Sequence, residues 1–277
     1  MSELNGFYEN MPYEEYAKID ALNGSSIVHM RRSPLKYRHM KDNPQPETPA
    51  LKLGVIAHRM ILEPALMGEI AIWGAREEEK VRRGKTWDAF QDEHYGKMIL
   101  TADEYEAARG VACAARLSPL IDRYVSAPGP TEVSIFWRHP YTNRRMKARL
   151  DKWILSMNTV MDLKSTRDCT SYRFGGQSAS LGYHIKMAIQ FEGVKVLTGR
   201  EPEMRLAAIE SKAPYECAVY RVTKDVILQG LEEKDNLVAK LDECEALNQW
   251  PPEQDCETDL ILPAWSMSSP LDELVEV

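Results

Sequence analysis

RLDKWILSMNTVMDLKST, residues 149–166, is the stretch on which the reading of the chain turns. Asp151 closes one apolar segment, Ser156, Met157 and Asn158 supply a turn, and a second apolar segment carries Asp162, Leu163 and Lys164. This pattern predicts a β-hairpin. Alternate strand residues share a face, so Asp162 and Lys164 point one way and Leu163 points into the core. Two acids and a lysine at neighbouring strand positions are costly to bury unless they pair or hold a metal ion. The combination suggests a Mg²⁺ site for phosphodiester hydrolysis, because Mg²⁺ takes hard oxygen ligands and keeps several waters.

Working outward, TEVSIFWRH is a third strand candidate, joined to the hairpin by the turn HPYTN. MRLAAIES and YECAVYRV alternate like a further pair of strands. Helical spacing marks ALKLGVIAHRMILEP, SLGYHIKMAIQFEGVKVLTG and the long VTKDVILQGLEEKDNLVAKLDECEAL, which ends before Pro251. TADEYEAARGVACAARLSPLI is also helical, with Thr101 and Glu104 spaced as a capping box. LNGSSIVHMRRSPLKYRHMK reads as a helix capped by Ser25 or Ser26 and interrupted at Pro34. Residues 1–22 read as an irregular lead-in, 67–101 as an exposed excursion without an assignable role, and TSYRFGGQSAS as a Gly/Ser loop. Helices before and after these strands predict an α/β fold, a central mixed β-sheet flanked by helices. One domain over 1–250 and an acidic tail over 251–277 are expected.

Composition narrows the function classes. The net charge is −7, which argues against indiscriminate nucleic-acid binding but not against DNA as a substrate. Three basic clusters stand against that total: Arg31, Arg32, Lys36, Arg38 and Lys41; Lys80, Arg82, Arg83 and Lys85; and Arg138, Arg144, Arg145, Lys147 and Arg149. The five cysteines, at 113, 169, 217, 244 and 256, show no C-x-x-C spacing, so neither a disulfide framework nor a zinc or iron–sulfur site is read from them. The acidic start MSELNGFYENMPYEEY lacks the basic and apolar regions of a signal peptide, and no apolar run is bilayer-length. The expected location is the cytoplasm, with no membrane partner.

The order Gly54-x-x-x-His58, Glu132, Asp151, Asp162-Leu163-Lys164 and then a helix bearing Tyr183 resembles the PD-(D/E)XK nuclease superfamily. Within it, the order is similar to the exonuclease VIII (RecE-like, RecB-like) nuclease domain of phages and prophages, from about Leu22 to Leu247. The resemblance implies that Asp151, Asp162 and the Leu163 carbonyl hold Mg²⁺, which Mn²⁺ could replace, with His58 approaching from the helical layer. Lys164 would orient or help deprotonate the attacking water and stabilise charge on the phosphate. Glu132 would either help position the site or be a solvated strand-end glutamate. Ser165 and Thr166 could contact a phosphate or be ordinary strand polarity.

The same resemblance places Ser25, Ser26, Arg31 and Arg32 where a terminal phosphate is read, against the alternative of simple N-capping. Tyr183 and His184 fit the exonuclease VIII pattern. Lys186 and Gln190 depart from the generic Q-x-x-x-Y motif, though Lys186 could still meet a phosphate. The activity implied is 5′-to-3′ digestion of double-stranded DNA from an end, by a ring-shaped trimer or tetramer. It would leave 3′ single strands for a RecT-like annealing protein in phage-type recombination. Three alternatives stand beside it: a structure- or strand-specific endonuclease, a Cas4-like single-strand exonuclease, and a non-catalytic DNA-end-binding module.

Overall fold

The computed structural model describes residues 4–46, 48–74 and 81–261. Its regular elements, in order, are β1 (Gly6–Tyr8), α1 (Tyr13–Lys18), α2 (Gly24–Ile27), α3 (Pro34–Asp42), α4 (Pro49–Leu62), β2 (Ile70–Trp73), α5 (Lys85–Glu93), β3 (Met98–Thr101), α6 (Ala102–Leu117), α7 (Pro119–Val125), β4 (Thr131–Arg138), β5 (Arg145–Ile154), β6 (Thr159–Thr166), α8 (Ser171–Ser180), α9 (Tyr183–Thr198), β7 (Glu203–Glu210), β8 (Cys217–Val222) and α10 (Lys224–Leu247). The main sheet has six strands in the order β1-β4-β5-β6-β7-β8. Within this sheet only β6 and β7 run parallel, joined across α8 and α9. The expected mixed sheet flanked by helices is what the chain forms.

The decisive hairpin is present, and its irregularities matter. Asn158 adopts a left-handed conformation (φ 46°) to close the turn, a role asparagine takes more easily than most residues. The β5–β6 ladder covers only Lys152–Met161, Trp153–Val160 and Ile154–Thr159, whereas β6 pairs with β7 along its whole length. On the other side, β4 and β5 pair at Thr131–Lys152 and again at Val133–Leu150, skipping Glu132, whose φ is 51°. Asp151 therefore has no ladder partner on either side among the described residues, and the sheet opens at that point.

The sheet has a core on each face. One gathers Val133, Ile135, Trp137, Leu150 and Val160 with Ile27 and Met30 and the apolar sides of α9 and α10. The other gathers Met161, Leu163, Ala207 and Ile209 with α4, α6 and α7. Inside the first lies a polar knot. Lys234 of α10 is fully buried, and its ammonium meets Glu192 of α9, Asp235 at 2.7 Å and His139 at 3.0 Å. Trp137 donates to Glu192 at 3.1 Å. Removing one partner of such a buried pair would cost about 3–5 kcal/mol.

Four local expectations are corrected. The lead-in is not irregular: β1 pairs with β4 at the sheet edge and α1 follows it. α2 is capped by Asn23, whose side chain accepts the Ser26 N–H at 2.9 Å, rather than by Ser25 or Ser26; asparagine is as good a cap as serine. The Gly/Ser stretch is the helix α8, despite Gly175 and Gly176. Tertiary contacts override its weak propensity: Phe174 is buried and stacks on Tyr220 at 5.3 Å. The excursion at 67–101 contains the parallel pair β2–β3 and α5, with Trp73 buried edge-on against Trp87 and Phe90. Residues 251–261 are exposed and lack regular structure; the rest of the expected tail lies outside the described residues.

Candidate active site

The opening in the sheet is filled by acids. Deprived of a strand partner there, the Leu163 N–H donates to Asp151 Oδ2 at 2.7 Å. This satisfies a buried donor and fixes the carboxylate at once. Leu163 itself is fully buried in the α4–α6 core, so its neighbours Asp162 and Lys164 face the other way, as the strand period requires. Asp162 pairs with the Lys164 ammonium, which also donates to the Leu163 carbonyl at 3.1 Å. The second Asp162 oxygen accepts from Gln190 of α9 at 2.9 Å.

His58 reaches the site from α4 because Gly54 lies one turn earlier. A Cβ on Gly54 would stand 3.3 Å from the Ser165 hydroxyl of β6, so glycine lets the helix sit close to the strand. His58 Nδ1 then lies 3.6 Å from Asp151 Oδ2. Glu132, turned by its positive φ, is held by Arg149, whose Nε donates to it at 2.6 Å. Arg149 is itself anchored on the Met11 carbonyl and the Ser134 hydroxyl.

The electrostatics follow from this crowding. Burial and the facing Asp162 push Asp151 up to about 7. Burial would raise Asp162 too, but Lys164 and Gln190 outweigh it and hold that carboxyl low. Burial would lower Lys164, yet Asp162 and Asp151 hold it above its ordinary value, so it is an ammonium at neutral pH. Burial and then Lys164 lower His58, leaving a neutral imidazole able to ligate. Burial and Asp151 raise Glu132, against Arg149.

These residues fit a divalent cation. One ligand atom each from His58, Glu132 and Asp151 lies within 4.8 Å of the others, and the acids there lack enough positive charge to settle them all. Asp162 is outside that trio, its oxygens engaged by Lys164 and Gln190.

The other candidates divide. Tyr183 lies under the site, with the Lys164 and Lys186 ammonium groups 5.6 and 5.3 Å from its ring centre. Lys186, whose Cγ would sit 3.1 Å from a Cβ on Gly24 of α2, has no ion-pair partner among the described residues. Burial and then Lys164 lower its pKa. His29 is lowered by burial, then by Lys36 and Lys186. Arg32 and Ser25 are exposed, whereas Arg31 is tied to Glu233 at 2.7 Å and to the Ala179 carbonyl at 2.8 Å. Ser26 donates to the Asn23 carbonyl, and Thr166 is buried, donating to Gln177 at 2.9 Å. Thus Ser26, Arg31 and Thr166 are committed within the fold.

Three residues of the third basic cluster are spent within the fold. Arg144 pairs with Asp242 and Glu245, buried Lys147 donates to the carbonyls of Tyr16 and Ile19, and Arg149 holds Glu132. Gln190 and Arg149 are the site residues that sequence reasoning left without a role. The signal for Gln190 was its position in the helix after the D-x-K strand; Arg149 offered none.

Acids and a lysine at the mouth of a splayed hairpin, within a mixed sheet between helices, define the PD-(D/E)XK nuclease fold. The chain belongs to the family described as PDDEXK-like domain of unknown function (DUF3799), whose model matches residues 24–259. Among solved structures it is similar to a protein from Eubacterium rectale described as a "Putative exonuclease". The TM-score is 0.64 and the identity 14%, with 97% of this chain and 99% of that chain covered. A second structure, SSO0001, aligns with a TM-score of 0.30 and 14% identity over 72% of this chain and 87% of that one, too low to carry an argument. No curated protein shows significant similarity to the chain. No described helix is long and apolar enough to cross a membrane.

Proposed function

We propose that the protein is a metal-dependent exodeoxyribonuclease of the exonuclease VIII type, digesting double-stranded DNA from an end in the 5′-to-3′ direction. The observation that carries this reading is the acidic group at the splayed hairpin, where Asp151 holds the Leu163 N–H and Asp162 pairs with Lys164, with the Lys186 ammonium on the same Tyr183 ring as Lys164. A phosphate brought to the acids would meet the Lys164 and Lys186 ammonium groups beside them. The description of the Eubacterium rectale protein as an exonuclease agrees with it.

His58, Glu132, Asp151 and Asp162, with the Leu163 carbonyl, would hold Mg²⁺, or Mn²⁺ in its place. A bound divalent ion lowers the pKa of a water and offsets charge on the phosphate. The chain's own groups do the rest. Lys164, held as an ammonium by Asp162, acts as a fixed cation beside the scissile phosphate and not as the base. Gln190 holds Asp162 so that its carboxylate cannot rotate away. Arg149 does the same for Glu132. Ser25, Arg32 and Lys186 are the remaining phosphate contacts. Assembly into a ring of three or four copies, cytoplasmic location and transfer of the 3′ strand to a RecT-like annealing protein belong to the same proposal.

The test is digestion of linear and closed circular duplex DNA with Mg²⁺, wild type against Lys164→Ala. Loss of the linear form alone, with wild type alone, supports the reading. Cutting of the circle would make the protein an endonuclease, and end binding without cutting would make it a non-catalytic module.

A further inference from the structure

The two faces of the sheet meet the acidic centre with different chemistry. Val133 and Ile135 of β4 and Ala148 and Leu150 of β5 point into the core beneath α9 and α10. Ser134 and its ladder partner Arg149 therefore point to the other face. α1 lies on that face, and its direction is fixed at both ends. The Met11 carbonyl, before the helix, accepts from Arg149 at 2.9 Å, and the Ile19 carbonyl, after it, accepts from Lys147 at 2.7 Å. α1 thus runs back along β5 from Arg149 to Lys147. Its first turn is the end nearer Asp151, which follows Arg149 by two residues. Arg149 also donates to Glu132 at 2.6 Å, so one guanidinium links the start of α1 to an acid of the site.

Tyr13 is the first residue of that turn. It is 62% exposed, and its ring leans on buried Tyr16 with centroids 6.2 Å apart. Tyr16 packs in turn on Phe136 of the sheet at 5.9 Å. The Tyr13 ring is a braced aromatic surface open to solvent at the catalytic end of α1. Its neighbours Glu9, Glu14 and Glu15 are exposed acids, which repel a phosphate. On the α9 face the Lys164 and Lys186 ammonium groups lie over Tyr183 and attract one. A nucleotide at the centre has its phosphate drawn toward α9 and its base left to the α1 side.

We propose that Tyr13 is the base-contacting residue of the site, stacking on the unpaired base of the terminal nucleotide whose phosphate lies at the acidic centre. This role rests on the exonuclease reading and gives the site a contact to a base. Every base offers a π-face, so stacking demands an unpaired base without choosing among the four. Unstacking and unpairing cost least where the nucleotide is already single-stranded. Tyr13 thereby favours ends over positions inside a duplex.

The experiment measures binding of labelled duplexes with a short unpaired stretch at the 5′ end, with Ca²⁺ in place of Mg²⁺. One duplex carries normal bases there and the other carries abasic sites. Tyr13→Ala should weaken binding of the normal duplex about tenfold or more and leave that of the abasic duplex unchanged. Tyr13→Phe should match wild type on both. A ring that only braces α1 would, when removed, weaken both DNAs alike, and that result would overturn the proposal. Unchanged binding by Tyr13→Ala, beside wild type that digests linear DNA, would overturn it and leave the exonuclease reading standing. Wild type that neither binds nor digests DNA would overturn both.

Discussion

Gln190 Nε2 donates to Asp162 Oδ1 at 2.9 Å, joining the middle of α9 to the acid of the D-x-K strand, while its own Oε1 is buried without a hydrogen-bond partner among the described residues. Asp162 is thus aimed by a neutral amide on one side and an ammonium on the other. Gln190→Ala should leave the fold intact and lower both Mn²⁺ affinity and cleavage about 10–100-fold, the usual effect of losing a group that orients a ligand. Gln190→Glu should do more harm, placing a third carboxylate against Asp151 and Asp162. Calorimetric Mn²⁺ titration beside nuclease assays checks both.

Lys164→Ala should reduce cleavage by about a hundred- to a thousandfold, the range for removing one preorganised donor from developing charge. Lys164→Arg should not restore it, since a planar guanidinium cannot occupy the ammonium's position between Asp162 and the Leu163 carbonyl. Single-turnover rates with bound DNA give the comparison.

Asp151 gives metal-free stability a defined pH dependence. Its pKa is about 7 in the fold against 3.8 in the open chain. Between those values the folded state holds a proton that the unfolded state has lost. Stability from this group therefore falls as pH rises through that window, by at most about 1.4 kcal/mol per pH unit. Asp162, held low, works oppositely: its contribution is present above the open-chain pKa and is lost as pH falls through its folded value. In EDTA, Asp151→Asn should gain on wild type as pH rises from about 5 to about 8. A constant difference in urea midpoints across that range would contradict the assignment.

Gly54→Leu should cost activity without removing any functional group. Leucine favours helix by about 1 kcal/mol over glycine, yet its side chain must displace Ser165 or lift α4 from β6. His58 then leaves Asp151. The expected pattern is weaker Mn²⁺ binding with a largely unchanged circular dichroism spectrum.

Lys186→Ala should weaken DNA binding and reduce the salt dependence of log K by about one phosphate contact, leaving Mn²⁺ affinity unchanged. Arg144→Ala should instead lower stability with the salt slope intact, because its guanidinium is spent on Asp242 and Glu245. Binding titrations at several salt concentrations distinguish the two.

The D-x-K hairpin and most helices were legible because period and turn chemistry act locally. Leu163 facing the core and Asp162 beside Lys164 follow from strand geometry alone. What sequence could not show was the skipped pairing at Asp151, which depends on three strands at once. Nor could it show which arginines were already paired, since Arg144 and Asp242 lie 98 residues apart. α8 was misread for the same reason: Phe174 and Gln177 find their partners on β8 and β6, not within the helix.

The Lys234 knot makes α10 a foundation for chemistry it never touches. Glu192 lies two residues beyond Gln190 on α9, and Lys234 grips it from α10. A chain stopped before α10 would retain every acid, the D-x-K lysine and Gln190 itself. It would lose the Lys234 counter-charge and the packing of α10 on Glu192, and with them the footing from which Gln190 aims Asp162. On the proposed reading, the aim of Asp162 therefore depends on α10 docking against α9.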